Sequence, residues 1–261
     1  MHAPRVFLFI DNSNIFISAK DEAEKREGPR ARHAVRIDFE NLYDLAVANR
    51  QIGSVCVVGS IPPEQQAVWD RLEAATGVKA ELYERGEFTG GEQGLDQCLQ
   101  VHMLRAISDH RDPQIVVLMT GDGAGYDDGV GFHADMERMH DAGWGVEVLS
   151  WRNHCRRALR EWATSKGVFI PLDDHYAAIT FLKGTRSRSP LDLSQRAVSS
   201  PRLSPTQIAE QRGLLQGQAK TADLERQLAA VRAQLEAVSA KQEAKVAGKT
   251  RHDRRYKRGA E

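Results

Sequence analysis

The stretch Phe7-Leu8-Phe9-Ile10-Asp11-Asn12-Ser13-Asn14 constrains this chain most. An unbroken apolar run stops at a carboxylate followed by polar residues. A short run of this kind predicts a strand buried on both faces, as in a parallel sheet covered by helices on each side. Such sheets bind ligands outside the carboxyl ends of their strands, where Asp11 falls. A second run, Ile115–Met119, ends in the same manner, in Thr120-Gly121-Asp122. Two buried strands that each deliver an acid to one edge point to a site for a hard cation. The competing reading of each acid is a helix cap or a turn former.

The remaining pattern alternates. Strands are expected at residues 5–10, 54–59, 79–83, 115–119, 144–149 and 168–172. Between them, helical spacing or start signals predict helices from Asn14, from the Asp38 cap, from Pro62-Pro63 to Gly77, from Leu95-Asp96, over residues 132–142 and over 153–165. Alternation of this kind means an α/β domain with a mostly parallel sheet. The charged run 21–30 ends in Gly-Pro and reads as a solvated loop or a frayed helix end.

This body is expected over residues 1–183. Residues 184–205, rich in Ser, Arg and Pro, read as a disordered linker. Over residues 206–246, Leu224, Leu228, Val231, Leu235 and Val238 recur at spacings of four and three. That is the seam of a coiled coil, which would pair two protomers; a lone surface helix is the alternative. Residues 247–261 form a basic tail with Arg251, Arg254, Arg255, Lys257 and Arg258, read either as a solvated end or as a nucleic-acid contact.

The 36 basic and 36 acidic residues of the whole chain cancel, which hides an asymmetry. From Gly184 onward there are 16 Lys+Arg and 8 Asp+Glu, against 20 and 28 before it. An acidic body suits a cation, and a basic end suits an anionic partner such as nucleic acid. Cys56, Cys98 and Cys155 are widely spaced with no C-x-x-C pair, so neither a zinc finger nor a disulfide framework is indicated. They read as reduced core cysteines of a cytoplasmic protein. No apolar stretch of about 18 residues exists, so no membrane span is expected, and no signal peptide is expected before the first strand.

Asp96 is a third acid, at a helix start after a Gly-rich loop. Beside Asp11 and Asp122 it would complete a carboxylate cluster. Carboxylate oxygens suit Mg²⁺ or Mn²⁺, and such an ion can activate a water for attack on a phosphodiester. Other motifs are weaker. Gly129 to Ala134 matches G-x-G-x-x-A, but a long loop separates it from its strand, which argues against a dinucleotide site. Arg152, Arg156, Arg157 and Arg160 cluster near one helix and would either grip an RNA backbone or form an exposed basic face. His33, His110, His133, His140 and His154 show no ligand spacing and are expected at the surface or at caps.

The Ile10-to-Asn14 element, the Gly94-Leu95-Asp96 helix start and the Thr120-Gly121-Asp122-Gly123 turn, in this order, resemble the NYN domain family, which is similar to PIN-domain ribonucleases. The resemblance covers residues 5–182, including Arg160-Glu161-Trp162-Ala163 and Phe169-Ile170-Pro171-Leu172. It implies a PIN-like three-layer α/β/α sandwich and metal-dependent hydrolysis of RNA. It makes Asp11, Asp96 and Asp122 the catalytic, metal-binding acids, with Mg²⁺ or Mn²⁺ as the ion. Asn14 and Thr120 would serve on the substrate side; the alternative for Thr120 is a strand-end hydroxyl bonded to backbone.

Two positions depart from the family pattern. His102 stands where a second Asp often falls, and Gly123-Ala124-Gly125-Tyr126 replaces the usual Gly-Asp-Phe continuation. Asp127 and Asp128 would either supply the missing acid or form a polar turn. The departures leave open a catalytically inactive RNA-binding or adaptor protein acting through its coiled coil. A DNA-directed nuclease or a phosphatase-like enzyme using the same acids is a third reading.

Overall fold

The computed structural model describes residues 3–61, 66–84, 95–110, 112–120 and 129–202, and, in a separate C-terminal unit, Gly217, Lys220, Thr221, Asp223, Glu225, Arg226, Leu228 and Ala229. In chain order the elements are β1 (Val6–Asp11), α1 (Asn12–Glu27), α2 (Ala31–Ala34), β2 (Val35–Ile37), α3 (Phe39–Val47), β3 (Ile52–Ile61), α4 (Gln66–Thr76), β4 (Glu81–Glu84) and α5 (Leu95–Asp109). They continue with β5 (Ile115–Met119), α6 (Phe132–Asp141), β6 (Gly145–Ser150), α7 (Arg157–Lys166), β7 (Val168–Pro171), α8 (Tyr176–Ile179) and β8 (Thr180–Leu182).

All six residues of β1 are buried, as the unbroken apolar run requires. It pairs with β3 on one side and β5 on the other. The sheet order is β4-β3-β1-β5-β6-β7, and every pair is parallel. Because side chains alternate across a strand, β1 feeds two cores. Val6, Leu8 and Ile10 pack with Ile15, Leu42 and Trp69 beneath α1, α3 and α4. Phe7 and Phe9 pack with Leu99, Met103, Met136 and Leu159 beneath α5, α6 and α7. The result is three α/β/α layers around one parallel sheet. Gly59 is required in β3, because any Cβ there would enter the Trp69 ring of α4.

Several local expectations give way. Residues 21–27 are the last turns of α1, the helical of the two readings, rather than a solvated loop. They stay helical because Glu22, 2% exposed, accepts from Asn153 Nδ2 at 3.1 Å and from Arg26 Nε at 3.3 Å. A two-stranded antiparallel ribbon, β2 with β8, was not foreseen; each strand has only three residues, too few to show a period. His133 and His140 are buried, edge-on to Trp162 at 5.3 and 5.9 Å, rather than at the surface.

The largest departure is the expected linker. Residues 184–202 form a strap against the body, held by arginines and not by apolar burial alone. Arg186 Nε meets Glu27 at 3.1 Å, and Arg188 Nη1 meets Asp38 at 2.8 Å. Arg196 reaches Glu147 on β6, which is 0% exposed. Glu147 accepts from Arg196 Nη2 at 2.6 Å, from Arg50 Nη1 and Nη2 at 2.5 and 3.0 Å, and from Ser199 N and Oγ at 2.7 and 3.1 Å. Burial pushes the Glu147 carboxyl up, but the Arg50 and Arg196 guanidiniums outweigh it and hold the group below its ordinary range.

Of the coiled-coil seam only Leu228 is described; it is helical and exposed. Leu224, Val231, Leu235, Val238 and the basic residues after 247 lie outside the described residues. Among the described residues no helix is long and apolar enough to cross a membrane.

Candidate functional site

From β1 the sheet grows outward through β3 and β4 on one side and through β5, β6 and β7 on the other. The direction switches between β1 and β5, and in open parallel sheets the crevice at that switch, beyond the carboxyl ends, is the ligand site. Asp11 ends β1 and is 2% exposed. Ile10 pairs with Met119, so the next residues, Asp11 and Thr120, sit side by side at this edge.

Asp11 takes the helix-cap reading of a strand-end acid. It caps α1, its Oδ1 accepting from Asn14 N at 3.2 Å, while Oδ2 accepts from Asn14 Nδ2. Asn14 therefore holds the carboxylate in one orientation at the edge. Three polar atoms nearby in sequence and register are buried without a hydrogen bond among the described residues: Asn12 Oδ1, Ser13 Oγ and Thr120 Oγ1. Buried polar atoms are nearly always partnered. Asn12 lines a small cavity with Phe39, Leu42 and Tyr43. Ser13 and Thr120 flank Asp11 in sequence and register, and their hydroxyls, with the carboxylate, offer a set of oxygens at this edge. Oxygens alone fit a hard divalent ion.

Asp96 is the second residue of α5, partly buried. That helix packs across β1 and β3 and connects β4 to β5. A crossover helix between parallel strands runs back against them, so its first turn starts at the carboxyl edge. Asp122, Asp127 and Asp128 lie outside the described residues. The described chain resumes at Gly129, whose carbonyl accepts from Arg138 Nη2 at 2.5 Å. Arg138 is itself fixed by Asp135 at 2.7 Å.

Two arginines of the basic face, Arg152 and Arg160, are engaged within the fold, while Arg157 stays exposed beside Glu161. Arg152 grips Asp174 at 2.6 and 2.8 Å, Arg160 donates to the Arg152 carbonyl at 2.7 Å, and Arg157 pairs with Glu161 at 2.7 Å. His102 turns toward the edge strand, with Nε2 3.1 Å from Glu81 Oε1 on β4. Cys98 Sγ lies 3.1 Å from Glu81 Oε2. Cys56 of β3 completes a group of four whose ligand atoms all lie within 4.8 Å of one another. By spacing alone these cysteines read as core filler. The available signal was Cys98 and His102 four apart on one helix, which places them on one face.

The sequence model of the family described as NYN domain matches residues 5–172. No curated protein and no solved structure matches the chain.

Proposed function

Since the chain belongs to the NYN domain family, whose model spans residues 5–172, we propose that it is a metal-dependent ribonuclease. The observation that carries this reading is a buried carboxylate, Asp11, at the switch point of a parallel sheet, beside a Thr120 hydroxyl with no partner among the described residues. Asp11, Asp96 and Asp122 would hold Mg²⁺ or Mn²⁺. A divalent ion bound there supplies an activated water and offsets charge on the scissile phosphate. Asn14 fixes the Asp11 carboxylate through two hydrogen bonds. The Thr120 hydroxyl donates to a phosphate oxygen and so positions the RNA backbone. In the cytoplasm, the coiled coil of residues 206–246 pairs two protomers and the tail of residues 247–261 raises the local RNA concentration.

The test is cleavage of a mixed-sequence single-stranded RNA with Mn²⁺, Mg²⁺ or EDTA, with Asp11→Asn and Asp122→Asn run alongside. Asn retains a capping oxygen for α1, so the fold survives Asp11→Asn. Metal-dependent cutting by the unaltered chain and none by either variant is expected. Undiminished cleavage by Asp122→Asn would sink the assignment.

One observation favours the second reading, an RNA-binding adaptor without catalysis. His102 engages Glu81 and so does not replace the acid that family members often place on this helix. RNA binding without cutting in any metal would select it.

A further inference from the structure

We propose that Cys56, Glu81, Cys98 and His102 form a zinc-type metal site that clamps the edge strand β4 to β3 and α5. Three separate elements deliver the donors: Cys56 from β3, Glu81 from β4, and Cys98 and His102 from successive turns of α5. Cys56 pairs in register with Phe9, on the face covered by α5. Glu81 pairs with Val58, two residues further along β3. The strand register and the helical repeat thus aim four ligating side chains at one volume, although they are far apart in sequence.

The distances suit a compact ion. Glu81 lies 3.1 Å from Cys98 Sγ through one oxygen and 3.1 Å from His102 Nε2 through the other. All four donor atoms fall within 4.8 Å of one another. Tetrahedral zinc with sulfur at about 2.3 Å and nitrogen or oxygen at about 2.0–2.2 Å needs ligand separations of roughly 3.3–3.8 Å. Contraction of the widest pair by about an ångström reaches that geometry, within the compass of side-chain rotation. Two sulfurs and an imidazole select Zn²⁺ over Mg²⁺ or Mn²⁺, so this donor set is chemically unlike the oxygens around Asp11. Four protein ligands leave no open position, which makes the site structural.

Access and purpose also agree. Cys56 is buried at the floor, while His102 and Glu81 are 36% and 46% exposed at the rim, which gives an ion a way in. Loading releases the thiol protons to solvent. β4 has four residues and, among the described residues, hydrogen-bonds to the sheet through β3 on one side only. A clamp there fixes both the strand and the helix that begins with Leu95 and Asp96.

The test uses the full chain under a non-thiol reductant, equilibrated with Zn²⁺, desalted and assayed for bound metal. Co²⁺ replaces Zn²⁺ in a parallel sample. About one equivalent of retained zinc is expected, with a thiolate-to-cobalt charge-transfer band and a thermal midpoint raised by Zn²⁺. Asp11→Asn should retain the zinc, and Cys98→Ser should lose the zinc, the band and the thermal shift together. His102→Gln, altered at the half-exposed rim, carries the same test if Cys98→Ser fails to fold. The proposal is overturned if the unaltered chain holds no zinc, if these ligand variants keep it, if the cobalt band is missing, or if Cys56 and Cys98 are recovered as a disulfide. Zinc lost in Asp11→Asn but kept in Cys98→Ser would place the ion at the β1 edge and overturn it as well.

Discussion

Glu147 and Asp11 are both acids on inner strands of one sheet, and both are almost wholly buried. Glu147 accepts hydrogen bonds from Arg50, Arg196 and Ser199, which come from two widely separated parts of the chain. Asp11 is held by Asn14, three residues away, and the hydroxyls of Ser13 and Thr120 beside it make no hydrogen bond among the described residues. A buried charge is tolerated when it is fully paired. The Glu147 network meets that condition with the protein's own groups. At the Asp11 edge it is the Ser13 and Thr120 hydroxyls that make no hydrogen bond among the described residues, an arrangement that a bound ion or phosphate would complete.

The largest effect is expected at Glu147. Glu147→Ala strands the Arg196 guanidinium in the interior, and losing one partner of a buried pair costs about 3–5 kcal/mol. Urea unfolding should show that loss, and proteolysis should cut residues 184–202 first, while RNA cleavage per folded molecule stays unchanged. A cost below about 1 kcal/mol would place Glu147 among ordinary surface pairs.

Acid sharpens the same contrast with a smaller effect. The Glu147 carboxyl is held below its ordinary value of 4.5, so the unfolded chain binds its proton first. Its contribution is complete above that value and is lost as pH falls through the lowered folded one. Burial likewise lowers His133 and His140 from 6.5, so stability also declines as pH falls through that range. Thermal midpoints across a pH series should show both declines, and Glu147→Gln should flatten only the more acidic one.

The smallest change is at Thr120. An unpartnered buried hydroxyl costs about 1–3 kcal/mol, so Thr120→Val should raise stability by about 1 kcal/mol while weakening cleavage. Denaturant titration and the RNA assay on the same samples decide it. A loss of stability would mean the hydroxyl is partnered, and the distinction between the two acids would fail.

Much of this was legible before any coordinates. Runs such as Phe7 to Ile10 and Ile115–Met119 are long enough and apolar enough to declare buried strands, and Asp11 stands at the end of one. What escaped depends on partners distant in sequence. Glu22 stays helical because of Asn153, Arg196 is ordered because of Glu147, and Cys56 gains meaning only when β3, β4 and α5 bring Glu81, Cys98 and His102 beside it. No local period encodes such pairings. Cys98 with His102 is the exception, a one-turn spacing visible in the sequence yet silent until a strand supplies the other two donors.

The strap also changes how the basic end of the chain should be weighed in solution. Of the 16 lysines and arginines from Gly184 onward, Arg186 and Arg188 sit on carboxylates of the body, Arg196 lies on Glu147, and Arg202 is docked on His140. A guanidinium already neutralised by a carboxylate, as those of Arg186, Arg188 and Arg196 are, displaces few counterions from a nucleic-acid backbone. The steepness with which added salt weakens RNA binding would therefore be set by the remaining basic residues, and counting every arginine of the C-terminal third would overstate it.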